Sequence, residues 1–456
     1  MNKKALLHSL FHAESVAVVG ASENPQKTGH KVLKNLIEGG YEGKIFAVNP
    51  RSESILGIPC SKSLSEIGED VDLVVVIVPA KAVPGVMREA AAVHAKGAVI
   101  ITGGFREIGN TALEQEVMDI AGENGIAVIG PNCQGINYTP NKLCASWPLI
   151  TGKGSMAILA QSGSVGAAMS EWAAEEHVGF TAMVAMGNKS QTDELDLLEY
   201  FSEDPETRVV ALNIEGVRDG PAYIRLVKKT VERKAMVVLK PGRTDRGSEA
   251  AQSHTRSVAG SDKVFQAVCR KLGVARAMGF EDFYDAAKIL SMLEKPAGRR
   301  LMILTSSGGS GIIAVDTAVE LQIETLQPGD SAVERLRACL PNQCVLRNPL
   351  DLTGDTTADR YVTAVEALTD TDFADSILLI FADPIEGAAA AAQKIRHMTG
   401  KPVLAVFVGA GEVGKTETLL MHERGIPVFP TPERAVRALG ALLESGIPAQ
   451  SREDRS

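Results

Sequence analysis

Short runs of β-branched and aliphatic residues alternate, along the first third of the chain, with longer stretches in which apolar residues recur every third or fourth position. The runs Ser15–Gly20, Lys44–Val48, Leu73–Val78, Ala98–Thr102 and Ala127–Ile129 have the length and composition of strands, and His30–Glu38, Val83–Lys96 and Ala112–Asn124 between them have helical spacing. This order predicts a parallel, doubly wound sheet, because parallel neighbours need a crossover and a helix supplies it. Ligands of such sheets sit beyond the carboxyl ends of the strands. The first unit is expected to end near Tyr138.

After an irregular stretch at Asn141–Gly154 the pattern starts again, with Ser155–Leu159 as a strand and Ala160-Gln-Ser-Gly-Ser-Val-Gly166 as a glycine-rich turn opening a helix. The segment Glu294-Lys-Pro-Ala-Gly-Arg-Arg300 punctuates the chain, and Leu301–Leu304 then runs into Thr305-Ser-Ser-Gly-Gly-Ser-Gly311. Setting Ser162 on Ser307 places Gly163 on Gly308 and Gly166 on Gly311, so strand, Ser-Gly turn and helix recur as an internal duplication. One such turn says little in an α/β chain. Two in matching context predict two similar flavodoxin-like layers. The polar end, Ala449–Ser456, is expected to fray.

Length agrees with this division, since 456 residues exceed one core and suggest about three domains. A composition of 45% hydrophobic and 23% charged residues excludes a disordered chain. The net charge of -9 offers no basic footprint for nucleic acid, so any anionic ligand must be held by local groups. The six cysteines show no C-x-x-C spacing, and His8 with His12 lacks a third ligand, so neither a disulfide framework nor a metal site is expected. Both histidines read as surface residues of a first helix. Glu14 and His12 interrupt the N-terminal apolar stretch, and Gly, Pro or charges break every other run, so a cytoplasmic protein without a signal peptide or membrane span is expected.

The first strand runs into Gly20-Ala-Ser22, small residues that let backbone N–H groups approach an anion at a helix start. The dinucleotide fingerprint G-x-G-x-x-G is missing, and the second strand ends at Asn49 where an NAD site would carry an acid. The string Val18-Val-Gly-Ala-Ser-Glu-Asn-Pro-Gln-Lys-Thr-Gly-His-Lys-Val-Leu-Lys-Asn-Leu36 resembles instead the CoA-binding domain of succinyl-CoA ligases and ADP-forming acetyl-CoA synthetases. The resemblance continues through Val78-Pro79, Thr102-Gly-Gly-Phe-Arg-Glu107 and Gly130-Pro-Asn-Cys-Gln-Gly135, all after strand ends. It implies that Gly20, Ser22, Lys27, Asn49, Pro79 and Thr102 hold coenzyme A and that Asn132 lies near the thioester and phosphate. A solvated loop lysine at position 27 and a turn-forming asparagine at 132 are the plainer readings.

The segment Arg246-Gly-Ser-Glu-Ala-Ala-Gln-Ser-His-Thr-Arg-Ser-Val-Ala-Gly-Ser-Asp262 is rich in small polar residues, which suits a loop that moves between two positions. His254 is its one strong nucleophile, and imidazole accepts a phosphoryl group near neutral pH without a neighbouring base. The segment is similar to the phosphohistidine loop of the same synthetases, with Arg256 where the family has Gly. Upstream, Val209–Arg218 reads as a buried strand delivering Glu215 to its carboxyl end. The resemblance implies that Glu215 bonds the other ring nitrogen of His254, and that Ser162, Gly163 and Ser164 bind the phosphoryl group at a helix start. The equivalent turn at Ser306–Ser310 is left with either a phosphate or a structural role.

The whole then reads as an α/β chain: an N-terminal Rossmann-like CoA-binding domain (residues 1–140) followed by two flavodoxin-like, succinyl-CoA-synthetase-like parallel-sheet domains (150–293, carrying the phosphohistidine segment, and 299–450). By resemblance it is the alpha subunit of a nucleoside-diphosphate-forming acyl-CoA synthetase. Such an enzyme interconverts acyl-CoA, phosphate and ADP with carboxylic acid, CoA and ATP through an acyl phosphate and a phosphohistidine. No Walker A string is present, so ADP/ATP with Mg belongs on a separate ATP-grasp beta subunit, and a hetero-oligomer is expected. The motifs leave open the acyl group, ADP versus GDP, the direction and the effect of Arg256. A CoA or acyl-CoA sensor without turnover and an NAD-linked dehydrogenase stand as the alternatives, the first favoured by Arg256 and the second disfavoured by Asn49.

Overall fold

A computed structural model describes residues 2–150, 152–255, 261–369 and 372–446, with 251–255 described by their backbone alone. The chain divides into two compact units, Met1–Glu175 with Gly179–Leu272, and Glu176–Val178 with Gly273–Ser456.

The first unit opens with helix α1 (Lys3–Phe11), on which His8 and His12 are exposed, as the sequence predicts, and stacked on each other at 4.0 Å. Its first sheet contains β1 (Ser15–Val19), β2 (Lys44–Val48), β3 (Ser54–Ile55), β4 (Ile58–Ser61), β5 (Leu73–Val76), β6 (Gly97–Ile100) and β7 (Ala127–Ile129). The order β3-β4-β2-β1-β5-β6-β7 is that of a Rossmann sheet, parallel except for the β3–β4 hairpin. Helices α2 (Thr28–Glu38), α3 (Val83–Ala92) and α4 (Thr111–Glu123) make the crossovers. All four residues of β5 are wholly buried, each Val or Leu contributing roughly 1.5–3 kcal/mol. Val32, Leu33 and Leu36 of α2 are buried while Lys31 and Lys34 face solvent, the predicted amphipathic spacing.

The turn after β1 depends on two missing side chains. Gly20 has φ +93°, and a Cβ there would stand 2.3 Å from Ile77 O; one on Gly29 would stand 2.0 Å from Gly20 O. Only glycine lets the start of α2 lie directly on the end of β1, next to β5, where the strand order reverses.

The second sheet of this unit is built from β8 (Gly135–Tyr138), β9 (Leu143–Ser146), β10 (Lys153–Ala160), β11 (Phe180–Ala185), β12 (Val209–Asn213) and β13 (Ala235–Leu239), in the order β13-β12-β10-β11-β8-β9. Helices α5 (Gly163–Glu175), α6 (Glu194–Glu203), α7 (Gly220–Val231), α8 (Asp245–Thr255) and α9 (Asp262–Leu272) accompany it. Here the structure corrects the sequence reading. Part of the stretch expected to be irregular, Leu143–Ser146, is a fully buried strand, and β8 pairs antiparallel with both β9 and β11. The run Leu-Cys-Ala-Ser lacks β-branched residues, and its strand form comes from pairing on the β8 hairpin rather than from propensity.

The second unit opens with β14 (Ala275–Ala277) and α10 (Phe280–Met292), followed by β15 (Leu301–Thr305), α11 (Gly308–Glu320), β16 (Val345–Leu346), β17 (Leu350–Asp351), β18 (Ser376–Phe381), β19 (Val403–Phe407) and β20 (Val428–Phe429). Its six-stranded sheet runs β16-β17-β15-β18-β19-β20. The duplication is visible in this order: β15 has one neighbour on one side and its successors β18 and β19 on the other, as β10 has β11 against β12 and β13. The helices after the two Ser-Gly turns, α5 and α11, are each 13 residues long.

A buried polar cluster ties α10 to the edge of this sheet. The Lys288 ammonium is wholly buried, donating to Glu176 Oε2 (2.8 Å) and Val428 O (2.7 Å). Beside it His422 is 6% exposed, with Nδ1 against Glu176 O (2.8 Å) and Nε2 accepting from Val428 N (3.1 Å), which requires the neutral ring. Burial, reinforced by the Lys288 charge, pushes the imidazole from 6.5 down to about 4. Between these values the unfolded chain takes up a proton that the folded unit refuses, so on the order of 3 kcal/mol of stability should be lost as pH falls through this window. Denaturant unfolding compared at about pH 7 and about pH 4.5 should show a smaller pH dependence for His422→Gln than for the parent chain.

Candidate active site

Beyond the carboxyl ends of the second sheet, within the first unit, lies a cavity of about 1210 Å³. Asn132, Ser162, Gly163, Ser164 and Glu215, predicted from three separate segments, all line it. Strand β10 feeds directly into α5, so the first turn of that 13-residue helix points its N–H groups and positive dipole end at the cavity. Ser162 Oγ lies 2.9 Å from Ser164 Oγ, and Ser162 N donates to Asn213 Oδ1 at 3.3 Å. Glu215, 9% exposed, follows β12, and its backbone N–H donates to Gln161 Oε1 at 3.0 Å. A carboxylate and an anion-attracting helix start thus share one chamber.

Two loops are locked together to form its wall. Asn188 N donates to Pro131 O (2.9 Å) and Ser190 N to Gly130 O (3.3 Å), so the loop after β11 runs along the loop after β7. Gly187, at φ +55°, permits this: a Cβ would stand 2.3 Å from Pro131 O and 2.5 Å from Asn132 O. Behind the contact is Glu114 of α4, 1% exposed, which accepts from Arg106 Nε and N, Ser190 Oγ and Asn188 Nδ2. Glu107 also accepts from Asn188 Nδ2, at 2.7 Å. Burial raises the pKa of Glu107, but the hydrogen bonds from Asn188 and from the N–H groups of Gly104 and Phe105 outweigh it and hold the carboxyl below its ordinary value. Lys189, 6% exposed, pairs with the buried Glu194 at 2.8 Å and reaches Gly216 O at 3.3 Å. Asn35 of α2 donates to Ser146 O and Trp147 O, setting Trp147 at the rim.

Gly20, Ser22, Lys27, Asn49, Pro79 and Thr102 are gathered elsewhere in this unit, on the loops after β1, β2, β5 and β6, and do not line the cavity. Lys27 is exposed at the N-cap of α2. Asn49 donates to Ala21 O (2.7 Å) and accepts from Arg51 N (2.8 Å), and Thr102 donates to Val78 O (2.7 Å). These last two side chains therefore hold neighbouring loops in register as well as facing the strand ends. Cys133, next to Asn132, is buried, and burial pushes its thiol up to about 12, which leaves it no nucleophilic character.

The segment expected as a loop is helical over Asp245–Thr255, because Thr244 Oγ1 caps Gly247 N (3.1 Å) and Glu249, Ala250, Ala251 and Gln252 favour helix. The side chain of His254 and residues 256–260, Arg256 among them, lie outside the described residues. The duplicated turn differs from its partner. Ser307 caps α11 by accepting from Ser310 N, and the Asp351 carboxylate lies so near that a Cβ on Gly308 would stand 2.8 Å from it. Gln134, Gln161, Asn188 and Lys189 line the cavity without having been singled out from sequence. The neighbouring motifs Gly130–Gly135 and Gln161–Gly166 contain the first two, whereas only the fold brings Asn188 and Lys189 there.

Residues 14–139 match the family described as CoA binding domain, and residues 153–290 that described as succinyl-CoA ligase like flavodoxin domain. The chain is 38% identical to the acetate–CoA ligase [ADP-forming] I subunit alpha of Pyrococcus furiosus, over 96% of this chain and 97% of that one. It is 37% identical to acetate–CoA ligase [ADP-forming] I of Archaeoglobus fulgidus, over 96% of this chain but only 63% of that longer protein. Its fold superposes on the Candidatus Korarchaeum cryptofilum dinucleotide forming acetyl-coenzyme A synthetase 1, solved with phosphate and ADP, with a TM-score of 0.86, 34% identity and 95% coverage of both chains.

Because the buried Glu114 carboxylate accepts from Arg106, Ser190 and Asn188 behind the seam, Glu114→Ala should lower stability by roughly 2–4 kcal/mol, read as a shift in urea midpoint without a change in slope.

Proposed function

The chain belongs to the ADP-forming acetate–CoA ligase family, and on that premise we propose that it is the alpha subunit of an acyl-CoA synthetase that converts acyl-CoA, phosphate and ADP into carboxylic acid, CoA and ATP, and back. The observation that carries this reading is the convergence of Ser162–Ser164, Asn132 and Glu215 on one cavity. Coenzyme A lies along the loops bearing Gly20, Ser22, Lys27, Asn49, Pro79 and Thr102, with its phosphates near Lys27 and the start of α2 and its thioester directed toward Asn132. An oxygen of hydrogen phosphate, held at the start of α5, attacks the thioester carbonyl. The C–S bond breaks, the proton of the phosphate passes to the departing sulfur, and an acyl phosphate remains. His254 then takes the phosphoryl group from it, releasing the carboxylate, and ADP receives that group from the phosphohistidine.

Glu215 accepts a hydrogen bond from the second ring nitrogen of His254, fixing the tautomer and stabilising the positive ring formed on phosphorylation. Dividing the transfer among simple displacements at preorganised anion sites avoids any single demanding step. In this reading residues 1–140 serve CoA, 150–293 the histidine and 299–450 form the second flavodoxin-like domain. The nucleotide and its Mg are held by an ATP-grasp beta subunit in a cytoplasmic hetero-oligomer. Support for a partner comes from the subunit name of the Pyrococcus relative and from the additional length of the Archaeoglobus protein.

Incubating chain and partner with γ-labelled ATP should give acid-labile, base-stable label on this chain, absent in His254→Asn. Glu215→Gln should slow ATP formation on the order of 100-fold or more while leaving CoA affinity unchanged. The chain without its partner should form no ATP from acyl-CoA, phosphate and ADP; formation of ATP there would remove the two-subunit reading.

A further inference from the structure

Among the described residues, Gln134 alone has both polar atoms of its side chain buried without a hydrogen-bond partner. It is 3% exposed and lines the cavity. A buried amide in that state costs about 1–3 kcal/mol for each unmade bond, a cost that an apolar side chain of equal size does not carry. The site around it is built. Gln134 follows Asn132 in the loop locked by Gly187, its backbone carbonyl accepts from Trp147 N at 3.4 Å, and its side chain rests on the first turn of α5. A Cβ on Gly166 would stand 2.8 Å from Gln134 Oε1, so glycine at 166 is what lets the amide lie there. With Oε1 against that turn, the two Nε2 hydrogens are the donors left for a ligand.

We propose that Gln134 is a substrate-binding residue whose side-chain amide donates to the acyl oxygen of the thioester and of the acyl phosphate, beside the helix start that holds the phosphate. This deepens the reading above and rests on the cavity being the site of acyl transfer. The phosphate end of an acyl phosphate finds N–H groups and a dipole at Ser162–Ser164, but its acyl oxygen needs a separate donor. Gln134 supplies it from a neutral group that leaves the negative charge to the helix. When phosphate attacks the thioester, the carbonyl oxygen gains charge as the tetrahedral intermediate forms. A preorganised, desolvated N–H directed at it lowers that barrier more than the ground state. Recognition by a donor that is otherwise orphaned also makes the site selective, since a ligand lacking the oxygen leaves the amide unpaired.

The test uses acetyl phosphate and inorganic phosphate as probes, titrated calorimetrically into the full chain in the His254→Asn background, where phosphoryl transfer is blocked. Gln134→Met should weaken acetyl phosphate by about 10- to 100-fold and leave inorganic phosphate within about twofold. Gln134→Glu should weaken acetyl phosphate further through charge repulsion. With Gln134→Met, equal weakening of both probes, or of neither, overturns the proposal, and unchanged CoA binding in each variant shows that the fold is retained. In the chain with native His254, acetyl phosphate that binds with wild-type affinity and never phosphorylates the protein sinks the phosphohistidine reading while leaving the role of Gln134 standing.

Discussion

The cavity exists because two loops from different sheets run against each other backbone to backbone. Asn188 and Ser190 donate to the carbonyls of Pro131 and Gly130, and Gly187 removes the one side chain that would hold them apart. Everything at the site is referred to that seam: Asn132 and Gln134 on one side of it, Lys189 and the turn toward Gly216 on the other. The seam is exposed to the cavity but backed by a buried carboxylate, so its polar groups are satisfied from behind and do not compete for a ligand in front. Glu114 is a positioning group in this sense, since it makes no contribution to the cavity surface itself.

With a net charge of -9, the molecule offers no general attraction for phosphate, and local geometry must supply all of it. Partial charges contribute at low cost. The start of α5 gathers N–H dipoles, and the three cations that line the chamber already have protein partners: Lys189 pairs with Glu194, Arg106 with Glu114, and Arg218 donates to Lys189 O. The second Ser-Gly turn illustrates the contrast, because a carboxylate from Asp351 lies at its helix start. Duplicated sequence has there produced the same element order and a different electrostatic environment.

The chemistry proposed for this chain separates its labour along the fold. The Rossmann-like sheet offers strand-end loops for a long, flexible cofactor, while the second sheet offers a helix start and a carboxylate for the transferred group. In that proposal, joining them in one compact unit fixes the thioester and phosphate sites with respect to one another before any substrate arrives, which is the entropic part of catalysis. Asn35 extends the same economy, linking α2 to the end of the strand that presents Trp147.

The five parallel strands β1, β2, β5, β6 and β7 of the first sheet, the two Ser-Gly turns and the placing of Glu215 at a strand end were legible in the sequence, because each rests on local information, whereas the short β3–β4 hairpin was not. Alternation of apolar runs sets β5 and α2, and glycine at position 20 marks where backbone must approach closely. Leu143–Ser146 was illegible as a strand because its form comes from β8 rather than from its own residues. The helix at Asp245–Thr255 was masked by a composition rich in Gly and Ser that a single cap at Thr244 overrides. Lys189 and Asn188 carry no local signal at all, and Gln134 lies in a legible motif whose pattern does not show that its amide is orphaned. By itself the chain order determined which segments end in anion-binding turns and which family they resemble. Tertiary structure alone decided which of those ends face one another, because contacts between residues 50 or more positions apart depend on sheet order and on buried pairing, which no local pattern encodes.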